Sequence, residues 1–147
     1  MRKRVRLLTL SASLLSSTTH AIDLVGTVFD KGGQAHNLDP LLVYSIGLAE
    51  SASARGDGLI SPWPWTLRAP GIPFYGESKN QAKEKLAEFQ QQYGNTIDIG
   101  YMQVNMRWNG YRVSSPVDLL DPVINVMIGA EVLSEAIMSS PNDLELG

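Results

Sequence analysis

Cysteine is absent from the 147 residues, so disulfide bonds and thiolate metal sites are excluded. The absence leaves the compartment open, because an exported protein need not carry disulfides. Histidine occurs at two positions only. His20 falls in an apparent leader segment and His36 has no histidine partner, so neither a metal nor a cofactor is expected. Internal repeats, low-complexity tracts and long linkers are also missing, which leaves a single domain. Charge is sparse at 18% of residues, against 44% hydrophobic residues. That balance suits a soluble globular chain with one real core and excludes a disordered one.

Composition is uneven at the amino terminus. Arg2, Lys3, Arg4 and Arg6 precede an apolar stretch over 7–15, and small and polar residues then lead to Thr19-His20-Ala21. This order predicts a secretory signal peptide cut after Ala21, hence an exported, periplasmic protein. The apolar stretch is too short to span a bilayer and is diluted by serine and threonine. Loss of residues 1–21 removes four of the 12 Lys/Arg and none of the 15 Asp/Glu, taking the formal charge from −3 to −7. So acidic a chain gains no counterion-release affinity for nucleic acid, and no nucleic-acid partner is expected. A neutral or lightly charged polymer such as a glycan is the better electrostatic match.

Residues 24–35 carry a rough apolar stripe of Leu24, Val25, Val28, Phe29 and Ala35, weakened by Gly32 and Gly33. Asp39-Pro40 is a cleaner helix start. The carboxylate can cap free amides, and proline at the first helical position loses no hydrogen bond. Leu41, Leu42, Val43, Tyr44, Ile46 and Leu48 then predict a helix to about Ser51, apolar on most of its circumference and therefore buried. Pro62, Pro64, Pro70, Gly71 and Pro73 forbid a helix within 57–76, where 65–68 and 72–75 suggest a small irregular hairpin. A surface helix is predicted over 78–92 with Ala82, Leu86 and Phe89 inward. Residues 97–105 mix partial alternation with a glycine and amide side chains, and read as a loop or short irregular segment. Ser115-Pro116 and Asp121-Pro122 repeat the cap-then-proline pattern, the second opening a helix over about 122–139.

Glu50 is the informative oddity. It lies seven residues after Val43 and four after Ile46, so helical geometry puts it on their side. It also falls near the carboxyl end of its helix, where the dipole disfavours negative charge. Burial and dipole together favour a protonated carboxyl, the form a general acid needs. The bland alternative is a glutamate at a fraying helix end whose side chain escapes to solvent.

Three stretches in order, Leu38-Asp39-Pro40-Leu41-Leu42, Ala49-Glu50-Ser51 and Gly100-Tyr101-Met102-Gln103-Val104-Asn105, resemble the soluble lytic transglycosylase domain of the lysozyme-like superfamily. Members of that family show a buried helix ending in Glu-Ser, followed by a Gly-x-Met-Gln segment. The Ser-Pro-Trp-Pro-Trp-Thr-Leu stretch at 61–67 and the Ile-Asp-Ile-Gly lead-in at 97–100 are similar to a branch found with conjugative elements and other envelope-crossing machines. The resemblance covers roughly residues 36–137. It implies an all-α, lysozyme-like fold with the hairpin as a small insertion, and peptidoglycan glycan strands as the partner. Carried over by position, the catalytic acid/base falls on Glu50. Ser51 would orient that carboxyl or contact the substrate, Gln103 would offer amide hydrogen bonds to a sugar N-acetyl or hydroxyl group, and Met102 would form an apolar wall. The implied reaction cleaves the bond between N-acetylmuramic acid and N-acetylglucosamine with closure of a 1,6-anhydro ring. One carboxyl suffices, because the substrate's acetamido group can stabilise the oxocarbenium-like centre.

A second carboxylate would permit lysozyme-type hydrolysis instead. Asp98, five residues before Gln103, could face the cleft in that role; the plainer reading is an acidic residue satisfying loop amides. Trp63 and Trp65 could stack on sugars, but tryptophans beside prolines more often anchor an irregular loop, and they are left outside the site. Gln103→Ala is expected to lower turnover with stability nearly unchanged. The sequence departs from the family pattern in lacking an Ala-Tyr-Asn helix after residue 137, and position 132, often tyrosine in relatives, is Val132. Residues 22–147 are therefore expected to form the domain without its C-terminal helix. That departure favours a rival in which the chain is a catalytically weak, peptidoglycan-binding part of a conjugation or secretion apparatus; the retained Glu50 and Gln103 speak against it.

Overall fold

The computed structural model describes residues 22–54 and 56–140. The leader cut expected after Ala21 lies outside the described residues, as do Arg55 and 141–147.

Local side-chain chemistry fixes where the helices begin. Thr27 caps α1 (Val28–His36) by accepting from the Asp30 amide, and Asp39 caps α2 (Pro40–Ser51) by accepting from the Leu41 amide. Ser78 does the same for α3 (Lys79–Tyr93) through Gln81, and Asp121 accepts from both Val123 and Ile124 ahead of the last helix (Pro122–Ser139, α5 below). The starts read from the sequence for α2, α3 and the last helix are thus met to within a residue, whereas α1 begins four residues into its predicted stripe. Ala82, Leu86 and Phe89 form the buried face of α3, as their spacing predicts.

The second helix differs from its expectation. Val43, Gly47 and Ser51 make a single buried stripe, whereas Leu41 and Leu42 remain 50% and 39% exposed. It packs against α1 and the strand Ile60–Pro62, which cover that stripe and leave the rest of the helix open. The glycines that weaken the α1 pattern serve close packing. A Cβ on Gly32 would stand 2.8 Å from Val126 Cγ1 of α5, so its absence lets the two helices meet.

The all-α expectation is corrected by six strands. Helix accounts for 56% and strand for 15% of the described residues, in a mixed α/β fold. The strands β1 (Ala52–Ala54) and β2 (Ile60–Pro62) form an antiparallel pair. A second antiparallel sheet runs in the order β4-β3-β5-β6, from β3 (Thr66–Ala69), β4 (Ile72–Tyr75), β5 (Asp98–Ile99) and β6 (Val104–Asn105). The predicted hairpin is β3–β4, with Thr66 opposite Tyr75 and Ala69 opposite Ile72. The sequence concealed its continuation into 97–105. Strands of two residues are too short to display a period of two, and β5 acquires its partner from β3, with Leu67 facing Ile99 and Arg68 facing Asp98. Distant pairing overrides a glycine-interrupted local pattern.

The core lies between these layers. Leu67, Ile97 and Ile99 of the sheet region meet Leu86 of α3, Val43 of α2, Val126 of α5 and the paired Leu119-Leu120, all fully buried. The leucine pair comes from a 3-10 turn, Pro116–Leu120, opened by a capping box between Ser115 and Asp118. By length and composition α5 could also cross a membrane. In this fold its Asn125, Val126, Ile128, Gly129 and Ala130 are packed inside the domain.

Candidate active site

Three separated parts of the chain enclose a cavity of about 350 Å3. Ile46 and Glu50, four residues apart on α2, line one side, on the stripe next to the buried Val43 and Gly47. Asp98, Gln103 and Asn105 come from the β5–β6 hairpin, and Asn109 ends the short helix α4 (Met106–Asn109) that follows it. Val132, Leu133 and Ala136 of α5 supply an apolar wall, with Met102 and Gly129 also at the lining. Val132 thus occupies the cavity wall at the position where the family pattern has tyrosine.

The turn from Gly100 to Gln103 brings the second motif to Glu50. Gly100 (φ 79) donates its amide to Thr66 O at 2.8 Å, and Gln103 donates its own to Gly100 O at 3.2 Å. A Cβ at position 100 would fall on the Asn125 amide group, so glycine is required both by conformation and by space. Gln103 itself is left-handed at φ 44, a conformation that costs a non-glycine residue about 1 kcal/mol and recurs at functional sites. Its side chain holds the turn: Nε2 donates to Gly100 O at 2.9 Å and to Thr66 O at 3.2 Å. The side-chain Oε1 is buried without a partner, in a residue only 8% exposed that lines the cavity. The carboxamide therefore works inward, on the turn, and its bare acceptor is sealed from the cavity rather than presented to it.

Asn125 is the hub that sequence reasoning missed. It is 1% exposed, accepts from Met102 N at 2.9 Å, and donates to Ile99 O at 2.8 Å and Leu119 O at 3.0 Å. One amide thus ties the hairpin, the 3-10 turn and α5 together. Its signal in the sequence was a lone amide among Val123, Ile124 and Val126 on a core helix. Gly129 completes the fit, because a Cβ there would overlap Met102 Cβ.

Ser51 is fully buried and is not among the cavity-lining residues. Its Oγ donates to Gly47 O at 2.8 Å and accepts from Trp63 N at 3.2 Å, so it fastens the end of the Glu50 helix to the chain after β2. Trp63 and Trp65 meet edge to face at 6.0 Å, and Trp63 Nε1 donates to Gly76 O at 2.7 Å. Both brace the hairpin and neither lines the cavity. Asp98 does line it, and accepts from Asn105 Nδ2 at 2.7 Å, while Asn105 Oδ1 accepts from Arg107 N and Trp108 N to cap α4. The carboxylate therefore faces the cavity and satisfies a loop amide at once.

Two more groups bear on the site. Arg68, exposed on β3 and opposite Asp98, extends Nη2 to 3.5 Å from Glu50 O. Its signal was a cation alternating with buried Thr66, Leu67 and Ala69 on a short strand. Arg112 forks to Glu131 at 3.0 Å and Glu135 at 2.6 Å, joining the segment after α4 to α5. The hydrogen bond that it donates to Glu135 holds that guanidinium above its ordinary value. Burial likewise raises the Tyr101 phenol, whose ring meets Phe29 at 5.2 Å.

Compared with protein-family models, with curated proteins and with solved structures, the chain matches none. The chemistry of the cavity carries the functional argument. Among the described residues no three histidine, cysteine or acidic side chains gather as a metal-binding group. The cavity offers one carboxyl at a helix end, a second tied to an amide, three carboxamides and an apolar wall. A pyranose ring has the same two-sided character, with apolar C–H faces and a rim of hydroxyl or acetamido groups.

Proposed function

We propose that this cavity is the active centre of a peptidoglycan lytic transglycosylase, exported by the leader at 1–21. The observation that carries the reading is the meeting of Glu50 with Met102 and Gln103 at one cavity, from two motifs far apart in the chain. Glu50 donates its proton to the oxygen bridging N-acetylmuramic acid and N-acetylglucosamine, and the C1–O bond breaks. The acetamido oxygen stabilises C1 while the positive charge develops. The muramoyl 6-hydroxyl then adds to C1, closing the 1,6-anhydro ring, and its proton returns to Glu50. Gln103 serves the site by holding the turn that carries Met102 to the cavity, through its bonds to Gly100 O and Thr66 O. The apolar wall of α5 suits a sugar face and lowers access of competing water.

A second reading, hydrolysis of the same bond, is favoured by Asp98 at the same cavity, since a second carboxylate could assist a water or act as nucleophile. Its hydrogen bond to Asn105 favours a structural duty instead. Purified protein incubated with peptidoglycan sacculi separates the two by mass spectrometry. Anhydro products, one water lighter than hydrolysis products, are expected, together with a loss of roughly 10²–10⁴-fold in Glu50→Gln and a much smaller loss in Asp98→Asn. Reducing muramic acid ends with equal losses in both variants would transfer the assignment to a hydrolase. Undiminished cleavage by Glu50→Gln would remove the carboxyl from the reaction.

A further inference from the structure

We infer that Trp108 is a stacking platform for a further sugar ring at the rim of the cavity, an inference that rests on the glycan reading above. Trp108 is 69% exposed, a large apolar surface left in water at a cost that scales with its area. Trp63 and Trp65 are half-buried and braced in the hairpin, so this exposure belongs to Trp108 and not to tryptophan in this chain generally. Its backbone adjoins the cavity: the Trp108 amide donates to Asn105 Oδ1, and Asn109 follows it directly, both residues that line the cavity. Met106, on the opposite side, is buried.

The platform has a stiff base. Asn105 Oδ1 accepts from the Trp108 amide at 3.3 Å, and Asp98 holds Asn105 at 2.7 Å. On its far side the Arg112 fork fastens the next turn to α5. A backbone already fixed in place leaves only the indole torsions to be ordered when a ligand arrives. The Arg107 guanidinium lies over one face of the indole, 5.1 Å from its centroid, so a sugar would stack on the opposite face.

Cavity size argues for a polymer that continues outward. About 350 Å3 is near the lower end of small-molecule sites, so a glycan strand seats only part of its length there and must cross the rim. A single ring flanked by Arg107 and Asn109 presents the alternation of apolar face and polar edge that a pyranose requires. A protein partner would call for a wider apolar centre.

Calorimetric titration with β-1,4-linked N-acetylglucosamine oligomers, from dimer to hexamer, tests the inference. Wild-type affinity is expected to rise about tenfold along the series. Trp108→Ala should flatten that rise, Trp108→Phe should keep part of it, and Val25→Ala, an exposed apolar change on the approach to α1, should keep all of it. A rise that survives in Trp108→Ala, or a wild type with equal affinity at every length, would overturn the platform alone. A wild type that binds no oligomer of any length would overturn the glycan reading and the platform with it.

Discussion

Replacing Asn125 with alanine removes three bonds, two that join the site-bearing hairpin to α5 and one that joins the 3-10 turn to it. The side chain is 1% exposed, and its partners are Met102 N, Ile99 O and Leu119 O. Alanine leaves one buried N–H and two carbonyl groups short of a partner. Each such loss costs about 1–3 kcal/mol, with carbonyls at the lower end because they have a second lone pair. The three together come to about 3–5 kcal/mol, a large share of the ~5–15 kcal/mol that holds an ordinary domain. At this chain length each kcal/mol lowers the melting temperature by roughly 3–5 °C, so a fall of roughly 10–20 °C is expected. Melting curves followed by circular dichroism measure it. Asn125→Leu restores the volume without the bonds and should be as damaging. A shift below roughly 3 °C in the alanine variant would refute the hub, because the three backbone groups would then have found other partners. A well-tolerated Asn125→Leu beside a damaged Asn125→Ala would shift the cause from hydrogen bonding to lost volume.

Gln103→Ala removes two bonds to backbone carbonyls, so stability should fall by about 1–2 kcal/mol along with turnover, against the sequence expectation of an unchanged melting point; thermal melting decides between them. Burial raises the Tyr101 phenol, so the folded chain keeps that proton more tightly than the unfolded one. The associated stability is intact below the ordinary value of 10.0 and is lost as pH rises above it. Melting temperatures of wild type should therefore drop more steeply beyond that pH than those of Tyr101→Phe, and parallel curves would show the phenol to be irrelevant.

Much of the helical framework was legible because its signals are local. An aspartate before a proline, at 39–40 and 121–122, announces a helix through groups a few residues apart. The spacing of Ile46 and Glu50 foretold that they share a side, and both line the cavity. Strands β5 and β6 were hidden because their order comes from β3, some thirty residues earlier, and two residues carry no periodic message. The sheet was missed for that reason, and the all-α expectation with it. Leu41 and Leu42 illustrate the converse error, since hydrophobicity around a helix does not guarantee neighbours to cover it. Asn125 and Arg68 escaped notice because each acts on backbone groups whose proximity is decided by the fold. Gln103 was singled out from its motif and lines the cavity, but its work in holding the turn was not legible.

The apolar wall of the cavity and the turn opposite Glu50 both depend on the last helix. Val132, Leu133 and Ala136 close it, and Asn125 of the same helix sets the turn that carries Met102 and Gln103. Until α5 docks, the Glu50 helix and the hairpin are open surfaces with nothing between them to grip a ligand. Contacts this distant in sequence have the largest loop to close and the least local help. On the proposed reading, competence requires the docked helix: a half-folded copy carries Glu50 without the cavity around it. For a protein whose proposed substrate is the wall of its own cell, that dependence is a restraint on premature cutting.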